Sequence, residues 1–353
     1  FLTQKKLILV FISILIFLIG FENYKGLLSN YIFVYESIAH KSIFSQNDWT
    51  FLVQDGLRHL PIRVLDFVNI KITNDFYLFS IYFFGGLISI YFLNKILLEI
   101  FVVKDFYSRF TILFCIAFAN FIIFKSIWSS SFIPFFNIQT SLATQLIYPF
   151  FYMVLSQKFF SASIISSILI FVHFTVAWLP TLIYSVYLIA KTKFKNIKIL
   201  YLLIPLTTFS LMYYLNLDVN SEVTQDKVGL IELILNRALE EAVVALQPTS
   251  RIIYFCVSIF IFYNIQKKVI KDKNIDLFFS ITFYITIFSI FFGFVWTSFG
   301  YKYLPFVSLS YLYFSRAILS YHILFLLLIT YFFYLQNFSP VRKVTIFIII
   351  YTL

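Results

Sequence analysis

The sequence predicts an all-α protein that forms a polytopic transmembrane helical bundle, and three observations carry this prediction. Of the 353 residues, 61% are hydrophobic and only 12% are charged, whereas soluble domains carry about 25% charged residues. The mean hydropathy is +0.90. Apolar runs of membrane-spanning length recur along the whole chain. A water-soluble fold of this size would lack the polar side chains to cover its surface.

The apolar runs predict about eleven membrane segments, because about 20 apolar residues cross a bilayer core of about 30 Å. Between Lys158 and Lys191 lie 32 residues without a charged side chain. One helix of that length would rise about 48 Å, so we predict two short helices that turn near His173. The predicted segments are Leu7–Phe21, Phe76–Leu98, Phe110–Ile127, Ser141–Leu155, Phe160–Val172, Val176–Ala190, Ile199–Leu215, Ile252–Ile265, Leu277–Trp296, Ile318–Leu335 and one beginning at Val344.

The charges between these segments predict the orientation. With the amino terminus in the cytoplasm, the inner loops hold 16 basic and four acidic residues, and the outer loops hold 11 basic and 12 acidic residues. Basic residues concentrate in the cytoplasmic loops of membrane proteins. All four tryptophans also fall at or beyond the predicted outer ends of segments, where this residue type is enriched. We therefore predict an integral protein of a bacterial inner or plasma membrane with a cytoplasmic amino terminus.

The chain reads as a single integral membrane domain over residues 1–353. It begins with a residue other than Met and stops inside an apolar run, so we expect it to be a fragment at both ends. Residues 22–75 form a first outer loop and residues 216–250 a second. Each contains an amphipathic stretch, Phe51–Ile70 and Val228–Leu246, whose polar residues recur at spacings of three or four. These stretches predict two interfacial helices.

Several chemistries find no support in the sequence. No G-x-x-x-x-G-K-[ST] or G-x-G-x-x-G run is present, so we expect no nucleotide cofactor. There is no H-E-x-x-H motif and no nucleophile elbow. The two cysteines, Cys115 and Cys256, lie in apolar runs and exclude a disulfide scaffold. The net charge of +11 is concentrated in the predicted inner loops, so we expect membrane lipids and no nucleic acid as partners.

Two stretches resemble the GT-C membrane glycosyltransferases over about the first half of the chain. Ser45-Gln46-Asn47-Asp48-Trp49 is similar to the acidic signature of their first outer loop. Pro149 to Pro180, in which Lys158 opens a short helix and His173 lies near its outer end, looks like their histidine-bearing pair of short helices. The resemblance implies transfer of a sugar from a polyprenyl-(di)phosphate donor to a glycan, lipid or protein acceptor on the outer face.

The resemblance also implies catalytic roles for carboxylates. Asp48 would be the general base that deprotonates the acceptor hydroxyl, with Glu36 or Asp55 as its substitute or as a metal ligand. Many family members bind a divalent metal through this carboxylate, so Asp48 is also the candidate ligand of Mg²⁺ or Mn²⁺.

A cation must meet the negative charge of the departing phosphate, and arginine pairs two phosphate oxygens at once. The hypothesis gives this role to Arg316, and His322, His173 and Arg58 help to bind the donor phosphate. Arg316 and His322 lie at the predicted outer boundary, where an ionisable residue marks a functional site more often than not.

Other interpretations of the same residues stay open. Arg316 can snorkel to the headgroups, the two histidines can be packing residues, Asp48 can cap a helix, and Arg58 can pair with Asp55. A polysaccharide polymerase or ligase of the O-antigen or exopolysaccharide type would use the same donors and depend on outer arginines and histidines. A transporter or flippase is the non-enzyme alternative, because the hairpin near His173 can be a broken-helix pair.

Overall fold

The computed structural model describes residues 75–106, 108–113, 116, 138–193, 196–220, 228–229, 231–232, 235, 249–305 and 318–336. These ranges are helical over nearly all their length and contain no strand. The long helices are α1 (Asp75–Lys95), α2 (Ile138–Leu155), α3 (Phe159–Thr192), α4 (Leu203–Asn220), α5 (Thr249–Val269), α6 (Lys273–Val295) and α7 (Ile318–Leu335). A π-helical turn, Ile96–Ile100, extends α1, a 3₁₀ helix, Ile197–Leu202, precedes α4, and a π-helical turn, Trp296–Gly300, leads from α6 into Tyr301–Tyr303.

Each long helix coincides with a segment that the sequence predicted, so the all-α class is confirmed for the described residues. Two helical stretches, Phe159–Thr192 and Lys273–Tyr303, are long and apolar enough to cross a membrane by length and composition, the first only when the helices on both sides of His173 are counted together. The predicted segments Leu7–Phe21 and the one from Val344 lie outside the described residues, and of Phe110–Ile127 only residues 110–113 and 116 are described. So does the first interfacial helix, Phe51–Ile70, and the total of about eleven segments stays a prediction.

Helix α3 is one continuous stretch along the chain but two antiparallel limbs in space. His173 has non-helical backbone angles (φ −158°, ψ 93°), and residues on either side of it are helical. Ser163 and Tyr184 lie 2.8 Å apart through their side-chain oxygens, and so do Ser166 and Thr181. Residues 21 apart in a straight helix would be about 31 Å apart, so these contacts require a reversal at His173. The predicted pair of short helices turning near His173 is therefore confirmed.

Helices α5 and α6 form a second hairpin whose tight turn is capped from within. The Asp272 carboxylate accepts hydrogen bonds from the backbone N–H groups of Asn274 and Ile275 and begins α6. The buried Gln266 side chain donates across the hairpin to Asp276 Oδ1 and Ser280 Oγ, both at 2.7 Å. Short connections of this kind hold consecutive helices antiparallel.

Helices α1 and α2 approach closely because small residues line their contact. Ser89 Oγ is buried and lies 2.9 Å from the Gly85 carbonyl oxygen and 3.1 Å from that of Gln145. A Cβ atom on Gly85 would stand 1.8 Å from Gln145 Oε1, so the absent side chain leaves room for the Gln145 carboxamide. Small residues four apart permit this close approach in membrane helices.

The interior is one apolar cluster to which α1, α2, α3, α5, α6 and α7 all contribute. The outward faces are also apolar, since Phe260 on α5 is 72% exposed and Phe288 and Phe291 on α6 are both 66% exposed. A water-soluble bundle would carry charged residues at such positions. The described helices thus have apolar side chains both between them and on their outer surface.

The two adjacent glycines of α1 provide a matched test of the α1–α2 contact. We expect Gly85→Ala to lower the free energy of unfolding by about 1–3 kcal/mol, the cost of overpacking a closed site. Gly86→Ala has nothing within 4 Å of the added Cβ and should be neutral or stabilising by up to about 1 kcal/mol through helix propensity. Thermal unfolding of the detergent-purified chain measures both.

Removing the clashing carboxamide should restore stability, so Gly85→Ala combined with Gln145→Ala should unfold at or above the temperature of Gln145→Ala alone. Equal stability of the two glycine variants would contradict the described contact.

Candidate functional site

The turn of α3 carries the one sequence-predicted site residue whose side chain the structure describes. His173 is only 3% exposed, and its Nδ1 lies 2.8 Å from Thr175 Oγ1. This contact fixes the orientation of the imidazole ring and ties the ring tautomer to the direction of the threonine hydroxyl. A titratable, hydrogen-bonding group is therefore held buried at the point where an apolar helix reverses.

Hydroxyl groups line the seam between the two limbs of α3. Tyr184 Oη donates to the backbone carbonyl of Phe159 at 2.9 Å. Since a phenol has one proton, Ser163 is the donor in its 2.8 Å contact with Tyr184 Oη. Ser166 and Thr181 pair at 2.8 Å nearer to the turn. The hydrogen bonds satisfy polar groups that would be costly in an apolar interior.

The first limb of α3 is shorter than a membrane. Residues 159–172 rise about 21 Å as a helix, and a bilayer core is about 30 Å thick. If Lys158, at the base of this limb, lies at one boundary of the bilayer core, the turn at His173 lies about 9 Å short of the opposite boundary.

Charged and aromatic side chains gather where the open end of α3 meets α1 and α2. Glu99 accepts a hydrogen bond from Tyr152 Oη at 2.5 Å, and its carboxylate forms an ion pair with Lys95 Nζ at 3.2 Å. The bond from Tyr152, followed by the one from Lys95, lowers the pKa of the Glu99 carboxyl below its ordinary value. The ammonium groups of Lys95 and Lys158 lie 5.6 and 5.2 Å from the centroid of the Tyr152 ring. Glu99 thus provides a carboxylate to a site that holds two cations.

The far end of α6 contacts the predicted second outer loop. Tyr301 Oη donates to Glu232 Oε1 at 3.1 Å, and Trp296 Nε1 donates to the Leu304 carbonyl at 3.2 Å. Trp296 is buried. Glu232, from the predicted amphipathic stretch Val228–Leu246, therefore lies at the end of this helix opposite to Lys273.

The remaining predicted site residues are not brought together within the described ranges. His322 lies in α7, but only its backbone is described. The others lie outside the described residues; they are Glu36, Asp48, Asp55, Arg58 and Arg316. In the described part of the chain, no group of three or more His, Cys, Asp and Glu side chains is placed to hold a metal ion. The metal role given to Asp48 stays a prediction.

The hydroxyl pairs of the seam were missed at the sequence level, although a signal for them exists. Ser163 lies ten residues before His173 and Tyr184 lies eleven after it; Ser166 lies seven before and Thr181 eight after. Polar residues placed symmetrically about a turn are those that meet when two helices fold back on each other. The contact between Glu99 and Tyr152 has no such signal, because 53 residues separate the partners.

Comparisons with protein-family models, with curated proteins and with solved structures find no match for this chain.

A double-mutant cycle tests the seam. Tyr184→Phe should destabilise the chain by about 1–2 kcal/mol, because the Phe159 carbonyl and the Ser163 hydroxyl both lose their partner. The coupling energy between Ser163→Ala and Tyr184→Phe should be about 0.6 kcal/mol and no more than about 1.7 kcal/mol, the range found between membrane helices. Thermal or chemical unfolding in detergent measures it.

Ser185→Ala is the matched control. The Ser185 hydroxyl bonds the Thr181 carbonyl within its own limb, so its loss should change stability by less than about 0.5 kcal/mol and should show no coupling to Ser163→Ala. Zero coupling between Ser163 and Tyr184 would count against the hairpin.

Proposed function

We propose that this chain is a polytopic membrane glycosyltransferase that moves a sugar from a polyprenyl-(di)phosphate donor to a glycan, lipid or protein acceptor on the outer face of a bacterial plasma membrane. The observation that carries the proposal is the buried His173 at the turn of a hairpin whose first limb is shorter than a bilayer core. A recessed, polar-lined turn suits a substrate whose reactive phosphate sits at the headgroup level while its prenyl chain stays in lipid.

The proposal includes about eleven membrane segments and a cytoplasmic amino terminus. Three features of the described residues support it: the helices coincide with the predicted segments, their outward faces are apolar, and α6 has Lys273 at one end and the contact with Glu232 at the other. In the proposed orientation, Lys158 and Lys191 lie on the cytoplasmic side and the turn at His173 lies toward the outer side.

In this mechanism Asp48 removes the proton of the acceptor hydroxyl as it attacks the anomeric carbon, and Glu36 or Asp55 assists. Arg316, with Arg58 and His322, stabilises the negative charge that develops on the departing phosphate. His173 contributes a hydrogen bond to that phosphate, and Thr175 holds its ring in place. A Mg²⁺ or Mn²⁺ ion on the Asp48 carboxylate would supply Lewis-acid stabilisation of the phosphate oxygens.

A transporter or flippase is the second candidate, and the reversal of α3 favours it. Transporters place half-length helices and ionisable residues near the bilayer midplane, and a turn about 21 Å along the limb lies within about 6 Å of the midplane of a core of about 30 Å. A polymerase or ligase would use the same lipid-linked donor, but its sugar transfer would not need the Asp48 carboxylate. Both alternatives give distinct outcomes in one assay.

The test uses membranes that contain the full chain, supplied with polyprenyl monophosphates and diphosphates carrying radiolabelled hexoses. We expect labelled acceptor to form, and Asp48→Asn to slow transfer by about 10²–10⁴-fold, as the loss of a general base does. We expect Arg316→Ala to slow it by about 10²–10³-fold, as the loss of a charge-stabilising donor does. His173→Gln should raise the KM for the donor more than it lowers kcat. Ser185→Ala should transfer at the unaltered rate.

Transfer that survives Asp48→Asn but not Arg316→Ala would favour the polymerase or ligase over the first choice. Movement of labelled donor across vesicles by the purified chain, with no labelled acceptor from any donor, would overturn glycosyl transfer in favour of transport.

A further inference from the structure

A pair of lysines at the base of the α3 hairpin shares one aromatic ring. The ammonium nitrogens of Lys191 and Lys198 lie 5.7 and 5.9 Å from the centroid of the Phe159 ring, and Lys191 is also 5.9 Å from that of Tyr187. Lys198 is exposed, whereas the Lys191 nitrogen is covered and has no hydrogen-bond partner. Burial lowers the pKa of the Lys191 ammonium, the Asp272 carboxylate opposes this shift, and the charge of Lys198 adds to it.

A second lysine pair, around the Tyr152 ring, differs from this one because a carboxylate forms an ion pair with one of its lysines. Around the Tyr152 ring, Lys95 and Lys158 have the Glu99 carboxylate, which bonds both Lys95 and the tyrosine hydroxyl. That cluster therefore contains its own counter-charge.

Within the described residues, no carboxylate forms an ion pair with either lysine around Phe159. The Asp272 carboxylate attracts Lys191 more strongly than Lys198 repels it, but it lies beyond ion-pair distance and also accepts the backbone N–H groups that begin α6. A covered ammonium without a hydrogen bond loses its free energy of hydration, and cation–π contacts compensate for only part of this loss. A second cation nearby adds repulsion, which grows where the dielectric constant is low. An external anion at this place would relieve both costs.

Apolar side chains beside Lys198 indicate which kind of anion fits. Ile197 is 76% exposed, and Leu200 and Leu203 are more than half exposed along the same stretch. The Tyr201 ring packs 5.6 Å from that of Phe160, which is itself exposed, so the 3₁₀ helix and the hairpin base form one surface. A soluble anion gains nothing from such neighbours, whereas an amphiphile buries its acyl chains against them.

We propose that the surface formed by Lys198, Ile197, Leu200 and Leu203, next to the covered Lys191 and the buried Phe159, binds an anionic phospholipid. The exposed Lys198 contacts the headgroup phosphate, and the phosphate charge balances the covered Lys191 across the edge of the Phe159 ring. The acyl chains lie along Ile197, Leu200 and Leu203. Basic surfaces at the cytoplasmic ends of membrane helices recognise lipid headgroups through this combination of charge and apolar contact. The inference is independent of glycosyl transfer, because it uses none of the residues assigned to that reaction.

Native mass spectrometry of the full chain in a neutral detergent tests this site, with phosphatidylglycerol, phosphatidylcholine and inorganic phosphate as three separate probes. We expect phosphatidylglycerol to bind more tightly than phosphatidylcholine of the same chain length. Lys198→Gln should weaken phosphatidylglycerol about fivefold, as expected for one lysine at an anionic membrane surface, and should leave phosphatidylcholine unchanged. Lys191→Met keeps the apolar stem, removes the charge, and should weaken phosphatidylglycerol to a similar extent.

Lys267→Gln is the matched control, because Lys267 is an exposed lysine that bonds the Tyr263 hydroxyl at 2.9 Å and lies outside the surface. It should change phosphatidylglycerol affinity less than twofold. If Lys191→Met fails to fold, the phosphatidylglycerol affinity of Lys198→Gln tests the site alone. Unchanged affinity in Lys198→Gln overturns the site. Binding of inorganic phosphate that displaces phosphatidylglycerol at equal concentration overturns the lipid as its ligand.

Discussion

Backbone N–H and C=O groups inside an apolar environment need partners within the protein, and a helix that reverses leaves several of them without their helical partners. This constraint acts on α3 at His173. Along the hairpin, side-chain hydrogen bonds hold the two limbs together: Ser166 pairs with Thr181, Ser163 pairs with Tyr184, and Tyr184 also donates to the Phe159 carbonyl at the base. The hydroxyl groups of the candidate site are therefore the groups that join the two limbs.

The reversal also explains why the two ends of the hairpin differ in chemistry. The limbs return Lys191 to the level of Phe159, so the cations that flank the apolar run in sequence meet at one end of the bundle. The turn carries no formal charge nearby in the described limbs, only an imidazole and hydroxyls. Phosphate recognition at the base and at the turn would thus depend on different interactions, with lysine charge dominating at the base and oriented hydrogen bonds at the turn.

Much of the fold follows from sequence, because hydrophobic length and the positions of lysines and prolines reflect the solvent that each residue meets. The turn at His173 was predictable for this reason: 32 uncharged residues are too long for one crossing. The contacts between distant helices were not predictable, since Gly85 against Gln145 and Tyr152 against Glu99 depend on which helix faces which. The candidate carboxylate Asp48 and cation Arg316 lie outside the described residues, and their convergence on His173 stays a prediction.

Helix α3 folds back on itself at His173, and a cysteine cross-link between its two limbs measures this reversal. In a chain with Cys115 and Cys256 replaced by Ala, the pair Ser166→Cys and Thr181→Cys should form a disulfide on mild oxidation, because the native oxygens are 2.8 Å apart. Ser166→Cys with Ala190→Cys should not, since Ala190 lies about 13 Å further along the limb. Absence of the first cross-link under conditions that oxidise each cysteine would mean a straight helix, in which the two positions are about 22 Å apart, and would contradict the account.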